Sequence, residues 1–281
     1  MKTKKINNLY LIDGQGLLYR AFYALPQLST SSGRIINAAY GFTMVLMKLI
    51  SEYKPDAIMV AFDTPKPTFR HKKYPQYKAQ RQKMPQELIE QIPIVHEILN
   101  QFKIKYFLQE NYEADDIIGT LCQMAKKNNY VSSVVTGDRD LLQLVDDNTE
   151  IIFMHKGISN VYHHQYSSVN KMLGFSPELI PDYIGLKGDS SDNIPGIPGI
   201  GEKTAQNLIQ RFGSLENSLK EKENIKRNRL KNKLIQYENQ AFLSKELAII
   251  KKDVPIDFKL SKFRYQSPDY NNIRILFKKY E

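Results

Sequence analysis

Cysteine is nearly absent: Cys122 is the one thiol among 281 residues. That excludes a disulfide framework and a thiolate metal cluster. Cys122 falls on the apolar side of a helix-period stretch and reads as core. Long hydrophobic runs are missing too. The start, Met1 to Asn8, is polar and basic, and the apolar run after it is about five residues long, ending in Asp13. No leader peptide or membrane span is expected from this, no membrane partner, and a cytoplasmic location is the default. There is no solenoid repeat, low-complexity tract or zinc-finger spacing. The five histidines are scattered, and the pair His163-His164 has no partner at ligand spacing, so they read as surface residues.

Acid is absent from one stretch. From Thr64 to Gln86 there are seven Lys/Arg residues and no Asp or Glu: Lys66, Arg70, Lys72, Lys73, Lys78, Arg81 and Lys83, with Phe69, Tyr74 and Tyr77 among them. This composition is that of a basic arm or of a solvated loop. As an arm it would hold backbone phosphates and stack on bases. The whole chain is basic as well, with 40 Lys/Arg against 30 Asp/Glu and a formal charge of +10. An anionic partner follows, nucleic acid before a membrane surface. Charge for solubility alone is the bland alternative.

What the chain does have is apolar segments that end in acids. Apolar content of 42% supports a sizeable core. Leu9–Ile12 delivers Asp13, Ala57–Phe62 delivers Asp63, and the β-branched run Val131–Thr136 delivers Asp138 and Asp140. Ile104–Leu108 and Glu150–Met154 are further strands. Between them lie helical stretches at Leu17–Ala24, Ala38–Glu52, Glu87–Phe102 (where Pro93 bends or restarts the helix) and Glu113–Asn128. Such alternation predicts an α/β fold, a mostly parallel sheet with helices on both faces. The chain then turns helical. Pro177–Leu186 is a short helix, and a polar loop carries Asp189 and Asp192. The glycine-rich run Gly196, Gly199, Gly201, Lys203, Thr204 leads into a helix ending near Phe212. A hairpin between two helices would offer amides to one phosphate. Lys222–Ile249 is a helix or helix pair with a basic start, and Asn271–Phe277 closes the tail.

The central stretch is Tyr112-Glu113-Ala114-Asp115-Asp116-Ile117-Ile118-Gly119, three carboxylates at the mouth of an apolar helix. Acids favour a helix N-terminus by roughly 0.3–1 kcal/mol each. That is too little to pack like charges beside a core. Hard oxygen ligands suit Mg²⁺ or Mn²⁺, and the number of acids points to two ions. A pair of ions roughly 3.5–4 Å apart serves in-line displacement at phosphorus. The residues therefore argue for a metal-dependent nuclease or phosphatase. A non-catalytic, structure-specific DNA-binding module and an RNA-directed nuclease are the alternatives.

Together these motifs are similar to the 5′-nuclease family, which includes the 5′→3′ exonuclease domain of bacterial DNA polymerase I, flap endonucleases and phage 5′-nucleases. The matching segments are Leu11–Gly14, Ala61–Asp63, Phe69-Arg70 with Tyr74–Arg81, Tyr112–Asp116, Thr136–Asp140, Gly188–Asn193 and Gly196–Ala205. The resemblance covers essentially the full chain. It implies a PIN-like nuclease domain over 1–175, a basic helical arch at 64–86, and a helical subdomain over 176–281. That subdomain would hold a helix-two-turn-helix at 192–213 that grips duplex DNA and binds K⁺.

The resemblance also implies one divalent ion on Asp13, Asp63, Glu113 and Asp115, and another on Asp115, Asp138, Asp140 and Asp192. Asp116 and Asp189 would lie further out. Lys78, Arg70 and Arg81 would face the scissile phosphate, and Tyr19 would stack on the terminal base. Implied in the same way are DNA with 5′ ends, flaps or junctions as substrate, 5′-phosphate and 3′-hydroxyl products, and a stand-alone, monomeric, nucleoid-associated protein without polymerase or proofreading domains.

Overall fold

A computed structural model of the chain describes residues 8–156, 160–256, 259 and 263–281. Strands β1 (Asn8–Asp13), β2 (Ala57–Ala61), β3 (Lys105–Phe107), β4 (Val131–Thr136), β5 (Thr149–Lys156) and β6 (Asn160–His164) form one sheet in the order β3-β2-β1-β4-β5-β6. The pairs from β3 to β5 are parallel, and β6 runs antiparallel on the edge. That edge strand goes beyond the expected alternation, which stopped at β5.

Successive residues along a strand face opposite sides of the sheet, and both sides here are apolar. Leu9, Leu11, Met59 and Val134 belong to one buried cluster, and Tyr10, Ile12, Ile58, Val60 and Val135 to another. Helices α1 (Gly14–Ala24), α2 (Asn37–Tyr53) and α5 (Ile92–Gln101), with α13 (Tyr270–Lys279), cover the second face. Helix α6 (Ala114–Lys127) covers the first, through Ile117, Ile118, Leu121, Cys122 and Ala125. Cys122 is core, and burial pushes its thiol up to about 12. Pro93 stands in the first turn of α5, and the expected single helix is split into α4 (Gln86–Ile89) and α5. Proline is tolerated there because the amide it lacks has no helical partner.

The remaining helices are α7 (Tyr166–Leu173), α8 (Ile180–Lys187), α9 (Glu202–Phe212), α10 (Leu215–Lys220), α11 (Asn228–Gln236) and α12 (Glu238–Ala248). Their apolar side chains, among them Ile184, Leu208, Leu215 and Leu247, join the same cluster as α6. Asp182 of α8 ties this layer together: it accepts from the Leu215 amide at 2.9 Å and from Lys245 Nζ at 2.7 Å.

The stretch from Thr64 to Gln86 lies against the body of the protein. Its helix is the short α3 (Phe69–Lys73), and turns follow. The Lys78 amide donates to the Asp192 carbonyl at 2.9 Å, Gln80 Nε2 to the Ser190 carbonyl at 2.7 Å, and Asn193 Nδ2 to the Gln76 carbonyl at 2.6 Å. The arm is thus laid along the loop that follows α8.

Candidate active site

In an open parallel sheet, ligands gather beyond the carboxyl ends of the strands, at the point where strand order reverses. Here that point lies between β1 and β4. Asp13 closes β1 and caps α1, its Oδ1 accepting from the Gly16 amide at 2.8 Å. Its Oδ2 accepts from Thr136 Oγ1, at the end of β4, at 2.9 Å. Asp63 follows β2 and accepts from the Ala114 amide at 2.7 Å, joining that strand end to the start of α6. Asp138 and Asp140 follow β4, with the Asp140 amide on Asp138 Oδ1 at 2.8 Å.

Two adjoining cavities of about 750 and 810 Å³ lie over these strand ends. They share Asp13, Tyr19, Tyr23, Arg81 and Asp138. One adds Asp63, Lys78, Lys83, Glu113 and Asp115; the other adds Arg20, Arg139, Lys187, Asp140 and Asp189. The structure therefore brings most of the expected acids around one cleft.

These carboxylates oppose one another's charge. Burial, then Asp138 and Asp63, pushes Asp13 up to about 6, against the bonds from Gly16 and Thr136 that favour its charged form. Burial and then Asp138 and Asp13 push Asp115 well above its usual range. Asp140 rises through burial and then Asp138, Asp189 and Asp192. Asp63 rises through burial and Glu113, and Asp138 chiefly through burial. Asp192 goes the other way. Burial acts upward on it, but Lys78 and Arg81 outweigh burial and hold it below its ordinary value.

A set of oxygen-only donors that cannot all ionise unaided fits a hard divalent cation. Among the described residues, however, no three Asp, Glu, His or Cys side chains form a ready metal cage. Part of the set is engaged by cations of the protein itself. Lys78 Nζ is 2.9 Å from Glu113 Oε1 and 3.4 Å from Asp192 Oδ2, and Arg81 bonds Asp192 Oδ1.

The structure places several of the expected site residues outside the lining of the cleft. Arg70 was expected at the scissile phosphate. It is 2% exposed, and its guanidinium is consumed by Asp116, Glu113 and the carbonyls of Leu247 and Ile249. Asp116 was expected further out than the direct ligands of the two ions. It is fully buried, with its oxygens taken by Arg70 and by the amides of Glu113 and Lys251. Tyr77 was expected to meet bases. It is 3% exposed and points its hydroxyl at Glu113 and Asp192. Lys72 and Lys73 line neither cavity; they pair with Asn111 and Glu246.

Tyr19 and Lys83 do line the cleft, and Tyr19 stacks on Tyr23 with ring centroids 6.4 Å apart. The glycine hairpin sits between α8 and α9 as expected. Gly196 and Gly199 have φ of 58° and 75°, in the left-handed region where glycine pays least. A methyl group on Gly196 would overlap the Gly188 amide. Gly201 and Lys203 are exposed and Thr204 half-buried at the start of α9. Asp189 accepts from Ser191 in the loop before the hairpin.

Sequence reasoning missed Arg20, Arg139 and Lys187, which line the cleft on the hairpin side. Gly137 leaves room for the Arg20 guanidinium, which a methyl at that position would strike. Helical spacing offered the signal: Arg20 stands one turn beyond Gly16, which binds Asp13.

Two family models match. The 5′-3′ exonuclease N-terminal resolvase-like domain matches residues 8–173, and the 5′-3′ exonuclease C-terminal SAM fold matches residues 175–271. The chain belongs to the 5′-3′ exonuclease family. It is 46% identical over 270 residues to DNA polymerase I of Bacillus subtilis, and 40% identical over 271 residues to that of Mycobacterium tuberculosis. Each alignment covers 96% of this chain, which spans only 31% and 30% of those polymerases.

Among solved structures, the fold resembles bacteriophage T5 flap endonuclease in a complex with DNA and metal ions, at TM-score 0.72 and 19% identity, covering 86% of this chain and 89% of that one. It also resembles the catalytic core of Rad2 with a DNA substrate, at TM-score 0.66 and 19% identity, covering 98% and 88%. These two share the architecture described above.

Proposed function

We propose that the chain is a divalent-metal-dependent 5′-3′ exonuclease and structure-specific 5′-flap endonuclease. It would cut DNA at 5′ ends, flaps and junctions and leave 5′-phosphate and 3′-hydroxyl products. The observation that carries this reading is the gathering of Asp13, Asp63, Asp115, Asp138 and Asp140 at the strand ends, each pushed above its ordinary pKa. Lys78, Arg81 and Lys83 in the same cleft suit an anionic backbone.

Asp13, Asp63, Glu113 and Asp115 would hold one Mg²⁺ or Mn²⁺, and Asp115, Asp138, Asp140 and Asp192 another, with Asp189 further out. Such ions, when bound, activate water and neutralise charge developing on the transferring phosphoryl group. The protein's own residues do the rest. Lys78 and Arg81 trade their present carboxylate partners for phosphate oxygens, which places fixed positive charge where negative charge grows. Tyr19 offers a ring for the terminal base. The hairpin of Gly196, Gly199 and Gly201, with Lys203 and Thr204, takes the duplex backbone, and K⁺ at its carbonyls would assist. Backbone contacts position without reading sequence, so junction shape governs the choice of site.

We place a nuclease unit in 1–175 and a duplex-holding unit in 176–281, in a monomer of the cytoplasm. Among the described residues no helix is long and apolar enough to cross a membrane. The test is cleavage of a 5′-flap DNA and of the matched RNA flap, each with Mg²⁺ and with EDTA. Cutting of DNA in Mg²⁺ alone is the expected result. Binding without cutting in either condition contradicts the reading, and so does preference for RNA.

A further inference from the structure

The hydroxyl of Tyr77 lies in the interior, 3.1 Å from Glu113 Oε2 and 3.0 Å from Asp192 Oδ2. Those acids come from separate parts of the chain, 36 and 115 residues away, at the mouth of α6 and in the loop after α8. The ring is fixed on its own account. His71 meets it edge-on at 5.3 Å, and Lys78 Nζ stands over its face at 4.9 Å. The Lys78 amide, next along the chain, is anchored on the Asp192 carbonyl. At 3% exposure no base can reach the ring.

Resting on the metal-dependent reading above, we propose that Tyr77 is a positioning residue. Its hydroxyl ties Glu113 to Asp192 and so sets the spacing of the two sides of the acidic cleft for divalent cations. A phenol carries one hydrogen and serves one carboxylate at a time. Lys78 reaches both acids and supplies the remaining contact. When Lys78 turns to phosphate, the Tyr77 hydroxyl still lies against both acids, donating to one and holding its spacing from the other. Groups behind metal ligands commonly set affinity in this way, and their loss weakens binding by roughly 10–100-fold.

The experiment compares Tyr77→Phe with the wild-type chain. Phe keeps the ring packing and deletes only the hydroxyl. Mn²⁺ is titrated without DNA, with free ion read by electron paramagnetic resonance. Alongside it, kcat and KM for a 5′-flap DNA are measured across Mg²⁺ concentration, and thermal melting is recorded. The expected result is a Mn²⁺ dissociation constant raised about 10-fold or more. The Mg²⁺ needed for half-maximal rate rises in parallel, while KM for DNA at saturating Mg²⁺ is unchanged. Unaltered Mn²⁺ affinity in Tyr77→Phe overturns the proposal, whether KM rises, as for a base contact, or only the melting temperature falls, as for plain packing. Absence of Mn²⁺ binding by the wild-type chain overturns the metal reading and this proposal with it.

Discussion

Arg70 and Asp116 form a two-pronged ion pair sealed inside the protein, with Nη1 2.7 Å from Oδ2 and Nη2 2.8 Å from Oδ1. The pair joins the root of the basic arm to the first turn of α6, and Arg70 continues to the carbonyls of Leu247 and Ile249 at the end of α12. Arm, acidic helix and C-terminal helices are therefore fastened at one point. Truncating one partner of a buried pair leaves the other charge stranded, at a cost of about 3–5 kcal/mol. Arg70→Ala should lose that much in urea denaturation. Its phosphate affinity, corrected for the folded fraction, should match the wild type.

Lys78 behaves differently. On the proposed function, removing its ammonium takes away the positive charge that would meet the reacting phosphate, while Glu113 keeps Arg70. Lys78→Ala should lower kcat on a 5′-flap by roughly 10²–10³-fold, the usual loss for one such group. Its denaturation midpoint should fall by less than that of Arg70→Ala, because Glu113 keeps Arg70 and Asp192 keeps Arg81. Single-turnover cleavage at saturating Mg²⁺ measures this.

The acids predict an unusual pH dependence of stability without metal. A carboxyl whose folded pKa is raised favours the folded state when protonated. That contribution is complete below the unfolded value and fades as pH climbs through the folded one. For Asp13 the window runs from 3.8 to about 6, and Asp115, Asp138 and Asp140 act in the same direction. Asp192, held low, acts below that window. In EDTA the melting temperature should therefore fall as pH is raised from about 4 to 7. Saturating Mg²⁺ should abolish the fall, since it binds the folded, ionised form. Calorimetry at stepped pH checks both arms.

The hairpin gives a separate prediction. Gly196 combines a φ of 58° with a backbone contact that leaves no space for a methyl group. Gly196→Ala should destabilise by more than about 1 kcal/mol. It should also weaken binding to duplex DNA more than binding to a single strand. Fluorescence anisotropy with the two probes separates these effects.

Asp13, Asp63 and Asp138 were legible because each follows an apolar run, and a parallel sheet collects strand ends in one place. What was not legible is which way a side chain points in an irregular segment. Arg70, Tyr77, Lys72 and Lys73 share one basic stretch, yet the first two are buried and the others exposed. Their fate is decided by partners far away in sequence, such as the Leu247 carbonyl for Arg70. Asp116 looked like Asp115, its neighbour, but one step around a helix turns it from the cleft toward Arg70. Strand β6 escaped because Asn160, His163 and His164 lack the apolar alternation that marks a strand, and an edge strand needs less of it.

The central claim is that carboxylates from separate strand ends act together on phosphate through divalent cations. Asp115→Asn tests it most directly, because Asp115 lies among the others and is pushed up by burial and then by Asp138 and Asp13. The measurement pairs 5′-flap cleavage in Mg²⁺ with flap binding in Ca²⁺, for wild type and variant. The account predicts cleavage reduced by at least about 10²-fold with binding retained. Equal cleavage by the two proteins would contradict it.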